Sequence, residues 1–331
     1  MLHFNPTKSF VIATGVALSF LSFESVGQVY TVDTLMRNGD RLNRINLVYL
    51  SDGYLSGQLT TYITNATTIN NALFVQAPFT QYKNFFNAFA LQVPSVEAGA
   101  KHPATASDEG SSGGQPIANP NNYFQSTFDY FSIHRLLVPQ NNTALYNALA
   151  SNLPDYDQAV VVVNSPYYGG SGGSFATAST NTSSAEVAIH EIGHSFAGLA
   201  DEYWAGDFYA SEKPNMTQNN NPLTVKWNRW YGINSVGIYP YGASGNPALW
   251  FRPHQLCKMQ YLGYPFCPVC TERYIDRIHQ LVNMVDEYFP ATTSFSITNN
   301  NAVSFSVSHL QTLPSTISVS WYLNGSISPF A

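Results

Sequence analysis

Apolar and polar positions change their spacing along the chain, and each change marks a predicted element. Apolar runs that end at turn residues predict strands at 44–54, 88–93 and 159–163. Apolar residues at helical spacing predict helices at 58–76, 142–152, 183–198 and 270–288. The sequence therefore predicts an α/β domain with a twisted mixed sheet.

The predicted helix at 183–198 has the clearest ends. Ser183 is its expected N-cap, and Glu186 stands three residues later, where it completes a capping box. Gly198 is expected to stop the helix in the left-handed conformation. The two histidines of this segment are therefore expected to lie on a regular helix.

The stretch at 166–180 is dense in glycine and predicts a loop or an irregular edge strand. It comes immediately before the histidine helix. We therefore expect it to form the rim of a cleft, where an extended peptide could pair with an exposed strand edge.

After Pro290 the chain alternates apolar and polar residues around an Asn-rich turn, which is typical of strands and hairpins. A sandwich domain needs about 100 residues, so 291–331 can hold only the beginning of one. The chain is then a fragment, or these strands pack on the main domain. The predicted organisation is a catalytic domain at 28–290 followed by a β-rich segment at 291–331.

Composition favours an exported protein that does not bind nucleic acid. Charged residues make up only 10% of the 331 residues, and the net charge is −6 without a basic cluster. Neutralising the phosphates of a nucleic acid needs clustered Lys and Arg, so we do not expect this protein to bind nucleic acid.

Residues 1–27 have the pattern of a secretory signal peptide. Lys8 precedes an apolar run at 10–23, and Ser-Val-Gly at 25–27 offers a cleavage site before Gln28. The run is shorter than the ~20 apolar residues that span a bilayer. We expect a secreted or cell-surface protein with no membrane span after removal of the signal.

The helix motif HEIGH carries the chemistry. His190 and His194 are four residues apart, so both imidazoles project from one helix face toward a single metal ion. Glu191 lies beside them, where a carboxylate can act as general base on a zinc-activated water. The motif predicts one catalytic Zn²⁺ and hydrolysis.

The third metal ligand has to come from the residues after the helix. In the metzincin pattern a glycine ends the helix, and the third ligand follows three residues later. Asp201 stands at that distance from Gly198, although one additional residue separates His194 from this glycine. Asp201 is the predicted ligand, and Glu202 and Asp207 are the alternatives.

A methionine turn beneath the metal is the other part of that pattern. The segment 252–264 supplies a candidate in Met259, and Tyr261 follows it at Met-x-Tyr spacing. A tyrosine in this place could lean toward the zinc and stabilise the oxyanion. We therefore predict a Met-turn at Met259 and a catalytic role for Tyr261.

Four motifs in this order resemble the IgA-peptidase family of secreted zinc metallopeptidases, which is known largely from bacteria: INLVYLSDGY, HEIGHSFAGLADEY, FRPHQLCKM and FCPVC. The resemblance covers roughly 40–290. It implies a zincin-like endopeptidase acting on a protein or peptide, with zinc held by His190, His194 and Asp201 and with Glu191 as base. Nothing in these residues indicates that immunoglobulin A is the substrate.

The cysteines fall within one short segment. Export favours a disulfide from Cys257 to Cys267 or Cys270, which would clamp the Met-turn loop. The alternatives are a second, structural zinc held by His254 and the three cysteines, and three free thiols.

Two rival functions stay open at this point. The first is a catalytically silent surface or adhesion protein on the same fold, suggested by the terminal strands and the aromatic, Asn-rich composition. The second is a zinc amidase that acts on a non-peptide substrate. The complete set of His, Glu and Asp favours a peptidase, because a binding module needs no general base beside its metal. The oligomeric state is not indicated.

Overall fold

A computed structural model describes residues 28–111, 113–292, 294, 303–323 and 326–327. The predicted signal peptide and the Asn-rich turn after 294 lie outside these residues. No helix of the described chain has the length and apolar character needed to cross a bilayer.

The centre of the fold is a six-stranded mixed sheet with the order β1-β3-β2-β4-β6-β5. Its strands are β1 Thr31–Met36, β2 Ile45–Asp52, β3 Phe86–Gln92, β4 Gln158–Val163, β5 Gly170–Ser171 and β6 Ala176–Ser179. The four inner strands are parallel, and β1 and β5 join the two edges in antiparallel orientation. The prediction of a mixed α/β architecture is confirmed.

Helices cover both faces of this sheet. They are α1 Leu59–Leu73, α2 Asn142–Asn152, α3 Ser184–Ser195 and α4 Pro268–Leu281. Leu47 and Tyr49 of β2 pack in one core with α1, α3 and α4, whereas Val48 and Leu50 pack in the other with α2. Because both faces of β2 are buried, its central residues 47–50 are all apolar rather than alternating with polar ones.

The last predicted helix is too long. The structure ends α4 at Leu281, and β9 Val285–Phe289 follows and pairs with β10 Ser306–His309. Both oxygens of Asp286 accept hydrogen bonds of 2.7 Å from the buried Arg44 guanidinium. This pair joins β9 to the start of β2, a tertiary contact that helical spacing alone does not reveal.

The C-terminal residues that the structure describes also contact the main domain. The pairing of β9 with β10 crosses residue 290, the predicted domain boundary. Leu310 is buried in the same core as α4, and the Leu313 N–H donates to the Gln81 carbonyl oxygen at 2.7 Å. Short two-stranded ladders complete the described elements: β7 Tyr239–Pro240 with β8 Phe251–Arg252, and β11 Tyr322–Leu323 with β12 Ser326–Ile327.

The predicted capping box at the start of α3 is wrong. The Ser183 side chain makes no capping hydrogen bond. Glu186 turns instead toward the loop that follows the predicted Met-turn, accepts a hydrogen bond of 2.6 Å from the Gly263 N–H and pairs with Lys258. The Lys258 side chain is only 1% exposed. The Glu186 carboxylate therefore compensates a buried ammonium instead of capping the helix.

We predict that Glu186→Gln lowers the free energy of unfolding by about 2–4 kcal/mol, because it leaves the Lys258 ammonium buried without a counter-charge. Glu212→Gln is the control, since Glu212 pairs with Lys226 at the surface, and it should cost less than about 1 kcal/mol. Denaturant unfolding of both variants measures the difference. Equal losses would show that the buried pair adds no more stability than the exposed one.

Candidate functional site

A cleft of about 630 Å³ opens where β5 passes α3. Its lining combines the two histidines and the glutamate of HEIGH with backbone from the glycine-dense stretch and side chains from two loops. Those loops are 133–136 and 198–216.

The two histidines of α3 face each other across the cleft floor. Their Nε2 atoms are 3.2 Å apart. The Nδ1 atom of His190 lies 3.0 Å from the Lys258 carbonyl oxygen, and that of His194 lies 2.8 Å from the Leu199 carbonyl oxygen. Because a carbonyl oxygen only accepts, both Nδ1 atoms carry the hydrogen, and the Nε2 lone pairs point into the cleft.

Asp201 completes this group of ligand atoms. Its Oδ1 lies 3.0 Å from Nε2 of His190 and 3.4 Å from Nε2 of His194. Gly198 turns the chain with a φ of 67°, as predicted, and its N–H donates to the His194 carbonyl oxygen. The Tyr241 hydroxyl then donates to the Asp201 backbone oxygen at 2.8 Å.

The two alternative ligands lie elsewhere. Glu202 is completely buried on the far side of the chain from the cleft, among the cysteines. Asp207 begins an exposed 3₁₀ turn. Among the three acidic candidates, the structure therefore brings only Asp201 to the histidines.

This arrangement fits a zinc ion. Zn²⁺ bound to nitrogen and oxygen at about 2.0–2.2 Å in tetrahedral geometry holds its ligand atoms about 3.3–3.6 Å apart. The distances between the three ligand atoms, 3.0, 3.2 and 3.4 Å, are close to that spacing. Lone pairs of two imidazoles that converge on a carboxylate oxygen require a cation among them, either a metal ion or a proton.

Charges in the cleft shift the pKa values of these groups. Burial alone would lower the pKa of His194, but the charge and hydrogen bond of Asp201 raise it to about 9. Burial would raise the pKa of Asp201, but the two histidines outweigh it and hold that pKa well below its usual range. Without a metal, a proton therefore takes the place of the cation near neutral pH.

Glu191 lines the same cleft, with Oε2 at 3.9 Å from Nε2 of His194. Burial raises the pKa of its carboxyl above the usual range, and the neighbouring histidines offset only part of this shift. A carboxylate with a raised pKa is a stronger base, which suits proton abstraction near neutral pH.

Met259 lies directly beneath α3. It is fully buried, and a Cβ atom added to Gly193 would come within 2.6 Å of its Sδ. Lys258 precedes Met259 and supplies the carbonyl oxygen that orients His190. The glycine in HEIGH thus allows the methionine loop to approach the helix closely enough to hold a histidine.

The glycine-dense stretch packs against the other side of α3. Cβ atoms at Gly170 and Gly172 would come within 2.4 Å of Val187 and 2.5 Å of His194, respectively. The stretch forms the short edge strand β5. Gly170 and Gly172 therefore permit close contact between this stretch and the helix.

Tyr261 is not among the residues that line the cleft. It is 48% exposed, and its ring packs against Tyr264 with centroids 5.9 Å apart. Tyr203 lines the cleft instead, two residues after Asp201. Its hydroxyl accepts a hydrogen bond of 3.3 Å from Arg135.

Burial and the nearby charge of Asp201 raise the pKa of Tyr203, so its phenol keeps the proton and can donate it in a hydrogen bond. Sequence reasoning missed both Tyr203 and Arg135. The arginine comes from a loop 68 residues earlier in the chain, and no motif connects the two.

The cysteines are not paired in the structure. All three are free and buried, and the predicted disulfide is not formed. His254 lies apart from them, and its Nδ1 accepts a hydrogen bond from the Leu256 N–H. Glu202, and not His254, lies with the three cysteines. The sequence did not reveal this, because Glu202 directly follows Asp201 and was considered only as an alternative ligand beside His190 and His194.

A further group of histidines and carboxylates was also missed by sequence reasoning: His102, Glu109, Asp129 and His134. Nδ1 of His134 lies 3.0 Å from Oδ1 of Asp129, and Nδ1 of His102 donates to the Pro116 carbonyl oxygen at 2.9 Å. The group adjoins the 133–136 wall of the cleft, and its residues show no characteristic spacing in the sequence.

The chain was compared with models of known protein families. The family model described as IgA Peptidase M64 matches residues 34–241, more than half of the chain. The matched region includes His190, Glu191, His194 and Asp201 and ends before Met259. No curated protein matches the chain.

We predict that Asp201→Asn weakens zinc binding by about 100-fold or more, because the amide replaces a charged ligand oxygen. Asp207→Asn is the control and should change the affinity by less than about twofold, since its side chain is exposed outside the ligand group. Competition with a chromophoric chelator measures both affinities. A similar loss in the two variants, or none in Asp201→Asn, would exclude Asp201 as a ligand.

Proposed function

The chain belongs to the IgA peptidase M64 family, and from this premise we propose that it is an exported, zinc-dependent endopeptidase acting on protein or peptide substrates. His190, His194 and Asp201 hold the zinc in this proposal, and Glu191 is the general base. The observation that carries it is the convergence of two Nε2 lone pairs on one carboxylate oxygen.

The chain's own residues bind, orient and move protons in the proposed reaction. When bound, zinc supplies a Lewis acid that polarises the scissile carbonyl and acidifies water. Glu191 takes the proton from the attacking water and returns it to the leaving amine. The backbone oxygens of Lys258 and Leu199 keep the two imidazoles in the tautomer that leaves Nε2 unprotonated.

Tyr203 is the proposed donor to the negative charge that develops on the carbonyl oxygen. Its phenol lines the cleft, retains its proton and is supported by Arg135, whose guanidinium carbon lies 5.6 Å from the centroid of its ring. Tyr261, the tyrosine expected from the sequence to do this, lies outside the cleft lining.

We propose that the substrate binds as an extended strand along 171–173. The Gly170 N–H donates to the Arg135 carbonyl oxygen, and the Gly170 carbonyl oxygen accepts from the Leu137 N–H. The free edge of β5 therefore begins after Gly170. Residues 171–173 line the cleft beside His194. A peptide there would run past the metal ligands with its carbonyl groups within reach of backbone donors.

The finer organisation is part of the same proposal. A signal peptide at 1–27 directs export, 28–290 forms a metzincin-like catalytic domain, and Met259 lies in the turn beneath the metal. The close approach of Met259 to Gly193 supports the last point. Contacts of Leu310 and Leu313 with the main domain favour a C-terminal segment that packs on it rather than one that stands apart.

Glu191→Gln should abolish peptide hydrolysis while zinc stays bound, because the amide keeps the shape of the side chain and loses the base. The measurement is mass spectrometry of a peptide library digested with wild type, with this variant, and with wild type plus chelator. Cleavage that persists in Glu191→Gln would contradict the mechanism. A library left uncut by zinc-loaded wild type would favour the silent binding protein or the amidase.

Tyr203→Phe should lower kcat by about 100-fold and leave KM nearly unchanged, because the lost hydrogen bond forms only in the transition state. Tyr261→Phe is the matched control and should retain activity within about twofold. Steady-state kinetics on one peptide identified from the library give both values. A larger effect of Tyr261→Phe would contradict the role proposed for Tyr203 and support the sequence-based prediction that Tyr261 is the catalytic tyrosine.

A further inference from the structure

Four side chains that take no part in the proposed reaction converge at one buried point behind the cleft. They are Glu202, Cys257, Cys267 and Cys270, and none is more than 3% exposed. One ligand atom from each lies within 4.8 Å of all the others. They come from three separate parts of the chain: the residue after Asp201, the Met259 turn and the first turn of α4.

The distances in this cluster match a tetrahedral metal site. Zinc bound to thiolates at about 2.3 Å places the sulfur atoms about 3.8 Å apart, and the Sγ atoms of Cys257 and Cys270 are 3.8 Å apart. Oε1 of Glu202 lies 3.1 Å from Sγ of Cys270 and 3.8 Å from Sγ of Cys267. A disulfide would need about 2.05 Å between two sulfur atoms.

The polar groups of the cluster are not satisfied without a cation. Oε2 of Glu202 is buried and has no hydrogen-bond partner. Oε1 has one strong donor, the Asn215 amide at 3.1 Å. Thiols are weak donors, so a buried carboxylate surrounded by three of them is costly unless an ion compensates it.

Local backbone supports negative charge on the sulfur atoms. The Cys267 N–H donates to Sγ of Cys257 at 3.3 Å. Cys267 is the N-cap of α4 and Cys270 lies in its first turn, where the free N–H groups and the helix dipole favour thiolates.

We propose that Glu202, Cys257, Cys267 and Cys270 bind a second zinc ion in a closed, structural site. Three thiolates exclude the cations that prefer oxygen ligands, such as calcium and magnesium, and favour zinc. Four protein ligands leave no open position for water or substrate, so this ion has no catalytic role.

The position of the site gives it a supporting role for the cleft. The Glu202 N–H donates to the Met259 carbonyl oxygen at 2.7 Å, and the neighbouring Lys258 carbonyl oxygen orients His190. A metal that holds Glu202 to Cys257 therefore fixes both Asp201 and the loop that holds the first histidine. Loss of the structural ion should weaken zinc binding in the cleft by about tenfold.

Wild-type protein alone can test the proposal. Full-length mature chain purified without added reductant is titrated with an organic mercurial in the presence of a colorimetric zinc indicator. Modification of three thiols should release about one zinc per chain. A disulfide between two of the cysteines, or reaction of three thiols without release of zinc, would overturn the proposal.

Cobalt identifies the ligands. Metal-free protein loaded with Co²⁺ should show an intense thiolate-to-cobalt absorption in the near ultraviolet, lost in Cys267→Ser and weakened in Glu202→Gln. His254→Ala is the matched control and should keep the band. Loss in His254→Ala with retention in Glu202→Gln would transfer the fourth ligand to His254 and overturn the assignment.

The test is separate from that of the proposed function. His190→Ala should remove the metal of the cleft but keep the thiolate absorption, whatever the protein's activity. Should Cys267→Ser fail to fold, the mercurial titration of wild type decides alone. A wild-type protein without the thiolate band would contradict the second site even if it cleaves peptides.

Discussion

The orientation of two imidazoles by two backbone carbonyl oxygens is the constraint on which the rest of this structure depends. His190 donates to the Lys258 oxygen and His194 to the Leu199 oxygen, and only then do both Nε2 lone pairs meet Asp201. One carbonyl belongs to the turn after α3, and the other to the methionine loop 68 residues away. The glycines of the site follow from this, since Gly198 makes the turn and Gly193 lets the loop approach.

Local features of the site could be predicted from the sequence because they depend on short-range geometry. The spacing of His190 and His194 requires only a helix, and Asp201 follows from the turn at Gly198. Buried strands were found from their apolar runs, within two residues of their ends at 88–93 and 159–163. Such features are set by neighbours in the chain.

Features that depend on distant residues could not be predicted. Asp286 pairs with Arg44 across 242 positions, and α4 ends at Leu281, although the predicted helix runs on through Asp286 to 288. Glu186 was expected to cap α3 but accepts a hydrogen bond from the Gly263 N–H, 77 positions away. Glu202 was an alternative to Asp201 in the sequence, but its Oε1 contacts Cys267 and Cys270, which lie 65 and 68 positions further along the chain. In the first two cases a buried cation, Arg44 or Lys258, pairs with a carboxylate that is distant in the sequence.

Asp201 and Glu202 are adjacent and point to opposite sides of one short segment, so the ligand group of the cleft and the buried cysteine cluster share their backbone. The central claim is that the Nε2 atoms of His190 and His194 and the carboxylate of Asp201 hold one metal ion. Anomalous diffraction from crystals, recorded on both sides of the zinc absorption edge, tests it most directly. The account predicts a zinc peak about 2.0–2.2 Å from all three ligand atoms. A map without that peak, or a peak that Asp201 does not approach, would contradict it.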